Sequence, residues 1–149
     1  MATTNKRVIT LKGNPIINEE GKASATVKPG YLVKGVSVVA HQTATTTTKV
    51  PKAFALEREE FGTGIDNTNQ GSGTISAFYA SGDQVKIGVF HTGQELVAFI
   101  ASGENIAEDD LLESAGDGTL KEGSNYPIAR AKEALGVIAA VTACRVEIL

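Results

Sequence analysis

The chain has 149 residues, 42% of them hydrophobic, with one cysteine and a formal net charge of −3. That is the size of one ordinary domain, able to bury its own apolar core, and a single cysteine excludes an intramolecular disulfide framework or a multi-cysteine metal site. No apolar run reaches the about 18 residues of a membrane span, the start lacks the apolar stretch of a secretory signal, and the acidic balance argues against a dedicated nucleic-acid binder.

In chain order, residues 1–25 are polar, with Gly13, Asn14, Pro15, Asn18 and Gly21 interrupting two short apolar pieces, residues 8–11 and 16–17. Such a segment buries little by itself, so it reads as an extended N-terminal arm, with a β-rich domain over residues 26–149. Pro29 and Gly30 signal a turn into the β-branched run 31–40, which predicts a strand or a strand pair. In residues 50–56, Phe54 and Leu56 alternate with Ala53 and Ala55, the pattern of a short strand. Residues 62–73 hold four glycines with Asn67 and Asn69 and are expected to form a loop. Val85, Ile87 and Val89 alternate with polar neighbours, and residues 96–100 form a continuous apolar run suited to a strand buried on both faces.

Residues 106–112 are consistent with a helical turn or a polar loop into a strand. Asp117 and Gly118 give the best hairpin signal of the chain. Residues 132–140 have some helix appeal, but Gly136 in their middle favours two strands. Cys144, Val146 and Ile148 share the apolar face of a last strand. About eight to ten short strands between glycine turns predict an all-β fold, a small barrel or sandwich.

The charge is uneven. Residues 1–52 hold eight basic and two acidic side chains, a balance of +6, and the remainder holds six basic and fifteen acidic ones, a balance of −9. A basic leading segment suits an acidic partner surface, or a solvated face with no partner. Within the arm, Val8, Ile9, Leu11, Ile16 and Ile17 are candidates to add as an edge strand to a partner, and Lys6, Arg7 and Lys12 to pair with its carboxylates.

The chain offers little to catalysis. His41 and His91 are the only histidines and lie at strand ends, too few for a zinc site, so no metal or other cofactor is expected. No nucleophile elbow or phosphate loop is present. Cys144 reads as a small buried hydrophobe. The neighbours Asp109 and Asp110, and Glu59 and Glu60, point to opposite faces if extended and cannot share a substrate.

An ordered set of signatures runs through the middle and end: Phe54-Ala55-Leu56-Glu57; Gly82, Asp83 and Val85; Gly93 with Leu96, Val97 and Ala98; Gly103, Ile106, Asp110 and Leu111; Gly116 to Leu120; Pro127 to Arg130; and Arg145 to Ile148. Over residues 26–149 this order resembles the head decoration, or cement, proteins of tailed bacteriophages with a β-tulip domain. The resemblance implies a non-enzymatic virion protein, made in the host cytoplasm, that adds to the outer surface of the expanded head as a homotrimer. Its partners would be the major capsid protein and itself, with no nucleic acid and no membrane, and it would hold the shell against the pressure of packaged DNA. Another virion role, as a tail tube subunit or a fibre-associated adhesin, is the alternative.

Overall fold

The computed structural model describes residues 9–12, 17–35, 37–44, 50–57 and 78–149. Among them every helix or strand element is a strand: β1 (Thr10–Lys12), β2 (Ile17–Ala23), β3 (Val33–Lys34), β4 (Val38–His41), β5 (Ala53–Ala55), β6 (Gln84–Val89), β7 (Glu95–Ile100), β8 (Asn105–Ile106), β9 (Leu111–Ser114), β10 (Leu120–Glu122), β11 (Ala129–Ala131), β12 (Gly136–Val137) and β13 (Thr142–Ile148). The fold is all-β, as the alternating patterns require.

The C-terminal strands close on themselves. β13 lies antiparallel along the whole of β7, Thr142 opposite Ile100 and Glu147 opposite Glu95. From β13 the ladder passes through β11, β9 and β10 and returns to β7 where Leu120 faces Ile100. A ring of five strands results, and closure removes most of the unpaired edges that an open sheet presents to solvent. The remaining strands form a second sheet in the order β3-β4-β2-β6-β5. A bridge from Leu32 to Phe54 brings its two ends together, so this sheet is barrel-like too.

Two apolar clusters fill the two barrels, and one stretch of chain divides them. Phe54, Leu56, Leu32 and Phe90 belong to the larger cluster, with Leu96, Ile100, Leu112, Leu120, Cys144 and Ile148. Ala53, Ala55 and Val33 belong to the smaller one, with Val39, Tyr79, Val85 and Ile87. Successive side chains on a strand point to opposite faces, so β5 sends its bulky residues one way and its alanines the other. Both faces of this wall are therefore dry. Its backbone is paired on both sides as well: Ala55 donates its N–H to Tyr31 O at 3.0 Å, and Leu56 donates to Lys86 O at 2.8 Å. The Tyr79 hydroxyl caps the wall by donating to Leu56 O at 2.8 Å.

Several expectations hold at the residue level. The run 31–40 is the hairpin pair β3 and β4; residues 84–89 and 95–100 are strands, the latter buried on both faces over most of its length; Cys144, Val146 and Ile148 face inward. Asp117 and Gly118 do turn the chain between β9 and β10, where Asp117 Oδ1 accepts from the Thr119 N–H at 3.0 Å and from its hydroxyl. Residues 106–112 contain no helical turn; they end β8 and begin β9 around a turn in which Asp109 takes a positive φ of 70°. Between residues 132 and 140 there is one short strand, β12, rather than two. The loop expected at 62–73 and the Glu59–Glu60 pair lie outside the described residues.

The separable arm over residues 1–25 needs correction for its described part. β1 pairs with β7 in the first sheet, and β2 is a central strand of the second, in register with β6 from Ile17 opposite Val89 to Lys22 opposite Gln84. Ile9 and Ala23 are buried in the larger and smaller clusters respectively. The polar composition misled because β2 is held by its backbone rather than by apolar side chains: β6 pairs with it from Ile17 to Lys22, and β4 with Lys22 and Ala23. The domain thus takes in residues 9–12 and 17–25, ahead of the expected start at Thr26.

Because the wall faces two cores, both directions of volume change are harmful there. Phe54→Ala is expected to lower unfolding stability by about 3–5 kcal/mol through a cavity in the larger cluster. Ala55→Leu is expected to cost about 1–3 kcal/mol by overfilling the smaller one. Urea denaturation followed by tyrosine fluorescence measures both.

Candidate interaction surface

The arm residues fall into three groups. Ile9 is fully buried; its carbonyl accepts the Val97 N–H at 2.7 Å and its own N–H donates to Glu57 Oε2 at 3.2 Å. It is a plug in the core rather than a contact for a partner. Leu11 and Lys12 are exposed on β1, an end strand that uses one edge to pair with β7. The backbone of Ile17 is fixed in β2, while Lys6, Arg7, Val8 and Ile16 lie outside the described residues. The structure brings Ile9, Leu11 and Lys12 to one place, the start of β7.

Beside β1 the outer face of the barrel carries paired charge. Arg145 on β13 donates through Nε at 3.1 Å and Nη2 at 2.7 Å to Oε2 of the buried Glu95 on β7. This bond holds the Glu95 carboxyl below its ordinary value of 4.5, outweighing the opposing effect of burial, and Lys12 adds to the shift. One strand further on, Glu147 receives Arg130 at 2.9 Å and Lys132 at 3.6 Å. Opposite charges on neighbouring strands fix the register of β7, β13 and β11.

A second feature has no expectation behind it. The segment between β10 and β11 folds back over β9 and covers Glu113, which is only 2% exposed. Its Oε2 accepts the backbone N–H groups of Asn125 at 3.2 Å and Tyr126 at 3.3 Å, and Lys121 approaches Oε1 at 3.9 Å. Gly123 is needed at this close approach, since a Cβ there would stand 2.1 Å from the Glu113 carboxyl carbon. The segment so held forms, with Val50 and Lys52, an open cleft of about 440 Å³ lined by Asn125, Tyr126, Pro127 and Ile128. In sequence Glu113 follows the inward Leu112 and reads as an ordinary outward position, so it carries no signal of its cover.

At the other end of β13 the chain from Val137 to Val141 is apolar throughout. Val137 is 78% exposed and Val141 44%, while Ile138 points inward and anchors the turn, donating to Glu104 O at 3.0 Å and accepting from Gly103 at 2.9 Å. The sequence predicts two strands over residues 132–140, and the structure exposes residues 139–141 as a tip instead. Among the described residues no three His, Cys, Asp or Glu side chains gather in a way that would hold a metal ion.

No family model matches the sequence, and no curated protein does. Among solved structures the chain is similar to the N base of the head fibre gp8.5 of bacteriophage phi29, with a TM-score of 0.54 and 14% sequence identity. The match covers 89% of this chain and 93% of that one. At this identity the likeness is one of fold, and it spans both barrels.

The joint between the barrels carries the histidine singled out in sequence. His41 stacks on Tyr31 with ring centroids 4.7 Å apart, Tyr31 meets Phe99 of β7 at 5.1 Å, and Gly118 leaves no space for a side chain against either of the first two rings. His41 Nε2 accepts the Lys28 N–H at 3.0 Å, which requires that nitrogen to be unprotonated. Burial first, and Lys28 second, hold the imidazole below its ordinary 6.5, against a smaller opposing effect of Asp117. His41 thus makes a structural contact at the joint.

Three outcomes follow for this surface. Glu113→Ala removes the acceptor of two part-buried N–H bonds, an expected cost of about 1–2 kcal/mol, and Gly123→Ala expels the same carboxylate; hydrogen exchange at Asn125 and Tyr126 should accelerate in both. For His41, the folded state binds fewer protons than the unfolded one, so stability is full above about pH 6.5 and falls as the pH drops through that value toward the lower folded pKa. His41→Gln keeps an acceptor and should flatten the slope of Tm between about pH 7 and 5.5. Glu95 acts in a separate, more acidic window: its contribution is present above about 4.5 and lost as the pH falls through its lower folded value, and Arg145→Met should remove that acid-side loss.

Proposed function

We propose that this protein is a structural component of a tailed-bacteriophage virion, seated on the outer surface of the expanded head, where it fastens capsid subunits against the pressure of packaged DNA. The observation that carries the reading is the fold shared over most of both chains with the base of a phage head fibre. The role is mechanical rather than catalytic, with the major capsid protein and further copies of the chain, in a homotrimer, as partners. A bound oligomer that spans several subunits adds interface that must break before the shell opens, and several copies multiply weak contacts through effective concentration.

The capsid-binding edge in this reading is β1 and the residues ahead of it. Among the described residues no strand pairs with its second edge, Leu11 and Lys12 are exposed on it, and Ile9 roots the segment in the core. Lys6 and Arg7 precede that root in sequence and, with Lys12, supply charge for capsid carboxylates, and Val8 adds an apolar contact. A second reading, favoured by the nature of the similar structure, is that the chain forms the base of a fibre and carries a further protein outward from the head.

Co-sedimentation with expanded, undecorated capsids tests the proposal. Saturable binding at a fixed ratio to capsid subunits, absent with unexpanded shells, is expected; no binding at saturating protein overturns it. Removing residues 1–8, or reversing Lys6 and Arg7 to glutamate, should weaken binding and flatten its salt dependence while the Tm stays unchanged. Deleting residues through 25 is not a fair test, since it removes β1 and β2 from the fold.

A further inference from the structure

We infer that the joint between the two barrels is a pH-operated latch: unprotonated His41 holds the β9–β10 hairpin closed against the second barrel, and proton uptake at Nε2 releases that hairpin while both cores stay folded. The latch is a property of the free chain. It does not depend on the function proposed above and is read out without capsids.

The hairpin is a unit of its own. Leu120 pairs with Ser114, Ala115 donates its N–H to Thr119 O at 3.0 Å, and Asp117 Oδ1 accepts from the Thr119 N–H inside the turn. The piece it meets is equally self-contained, since β3 pairs with β4 and Gln42 donates to Leu32 O at 2.8 Å just beyond them. The bonds that join the two pieces are few among the described residues. Gly118 donates its N–H to Gln42 O at 3.1 Å, Gly118 O accepts the Leu32 N–H at 2.8 Å, and the Ser114 hydroxyl donates to Ala44 O. All of them end next to Tyr31 or within three positions of His41. Two stiff pieces joined by so short a set of contacts open locally at a lower free energy than either piece unfolds.

His41 is the centre of that set. A Cβ on Gly118 would stand 3.0 Å from His41 Cβ and Cγ and 3.0 Å from Tyr31 Cδ2, so the hairpin rests directly on the stacked pair. Beyond Tyr31 the stack continues to Phe99, whose ring also lies against Gly30. The imidazole has a third contact, because its Nε2 accepts the Lys28 N–H. Once protonated, Nε2 is a donor facing a donor. The ring then turns away from Lys28, and that turn displaces Tyr31 and Gly118 from its surface.

Few charges face His41. Lys28 and Tyr31 come from the turn before β3, with the Lys28 ammonium 5.4 Å from the Tyr31 ring centroid and 5.2 Å from that of Phe78. Asp117 comes from the hairpin, while Phe99 of β7 and Val33, opposite His41 on β3, carry no charge. Lys34, next on β3, is bonded to Thr43. Of these side-chain types only histidine ordinarily titrates between pH 7 and 5.5. A cation on His41 is desolvated and repelled by Lys28 more than Asp117 attracts it, so the closed state resists the proton. In the open state the imidazole meets water and titrates near its ordinary value of about 6.5, and proton binding draws the equilibrium toward that state.

Native-state hydrogen exchange on the full chain tests the latch. The amides of Lys28, Leu32 and Gly118 should exchange through a local opening, with protection that low urea leaves unchanged and that is about three- to tenfold smaller at pH 5.5 than at pH 7. Those of β7 and β13 should be better protected and urea-dependent. His41→Gln keeps an acceptor and takes up no proton, so the three joint amides should be equally protected at both pH values; His91→Gln, at an exposed position, should behave as the wild type. If His41→Gln folds poorly, the wild type gives a second reading: the ring signals of His41 and Phe99 and the Gly118 amide should titrate with one midpoint by NMR. Joint amides with the urea dependence of β7 and β13, protection that does not change with pH, a change that persists in His41→Gln, or a His41 titration that leaves Phe99 and Gly118 unmoved overturns the inference.

Discussion

The whole arrangement depends on a wall of chain with two dry faces. Residues 53–56, with Leu32 and Val33 beside them, must satisfy every backbone group laterally, because neither face offers water. They do so through Tyr31 on one side and β6 on the other. Size is partitioned to match: Phe54 and Leu56 fill the larger barrel, and only alanines fit toward the smaller. Two barrels of this length could not each sustain a core alone at ordinary domain size; sharing a wall lets one set of backbone bonds and one strand serve both.

The N-terminal strands tie this pair together. β1 belongs to the first barrel and β2 to the second, so the chain enters one core at Ile9 and crosses to the other before any of the turn signals begins. Outside the first barrel, Glu95, Arg145, Glu147 and Arg130 align three strands by charge, and at the joint His41, Tyr31 and Phe99 stack across from one barrel to the other. Polar groups therefore set register and relative placement, while the apolar clusters supply most of the driving force for folding.

What could be read from the sequence follows from the range of the interactions involved. The alternations at 53–56, 84–89 and 142–148 are local, since burial on one face leaves its mark at every second position, and they gave correct strands. Turn residues such as Asp117 and Gly118 act within a few positions and were legible too. The status of residues 17–23 was not, because a central strand with Asn18, Glu19, Glu20 and Lys22 owes its place to partners over 60 positions away in β6. The expectation of two strands over 132–140 failed in the opposite sense: pattern alone cannot tell a second strand from the exposed apolar tip that follows β12. Glu113 escaped notice because its cover, residues 123–126, is recognisable only once β9, β10 and β11 are placed side by side. Of the candidate arm residues, Ile9 is expected outward and is buried because its partners on β7 are distant in sequence, Leu11 and Lys12 lie exposed on β1, and the cleft has no expectation behind it.

Magnitudes also bear on how such a molecule would carry load. If a partner strand adds to β1, tension on it is resisted locally by two residue pairs with β7 and by burial of the Ile9 side chain. That burial stabilises by about 1.5–3 kcal/mol and each net hydrogen bond by about 1 kcal/mol. Single attachments of that strength exchange readily and would not retain a shell under pressure. On the function proposed above, retention would come from joining several attachments so that one that opens is held in place by the others and closes again. On that same reading, a weak edge strand and an oligomeric body would be complementary parts of one device: the edge would supply many contacts that can find their partners on a curved lattice, and the oligomer would make their simultaneous loss rare.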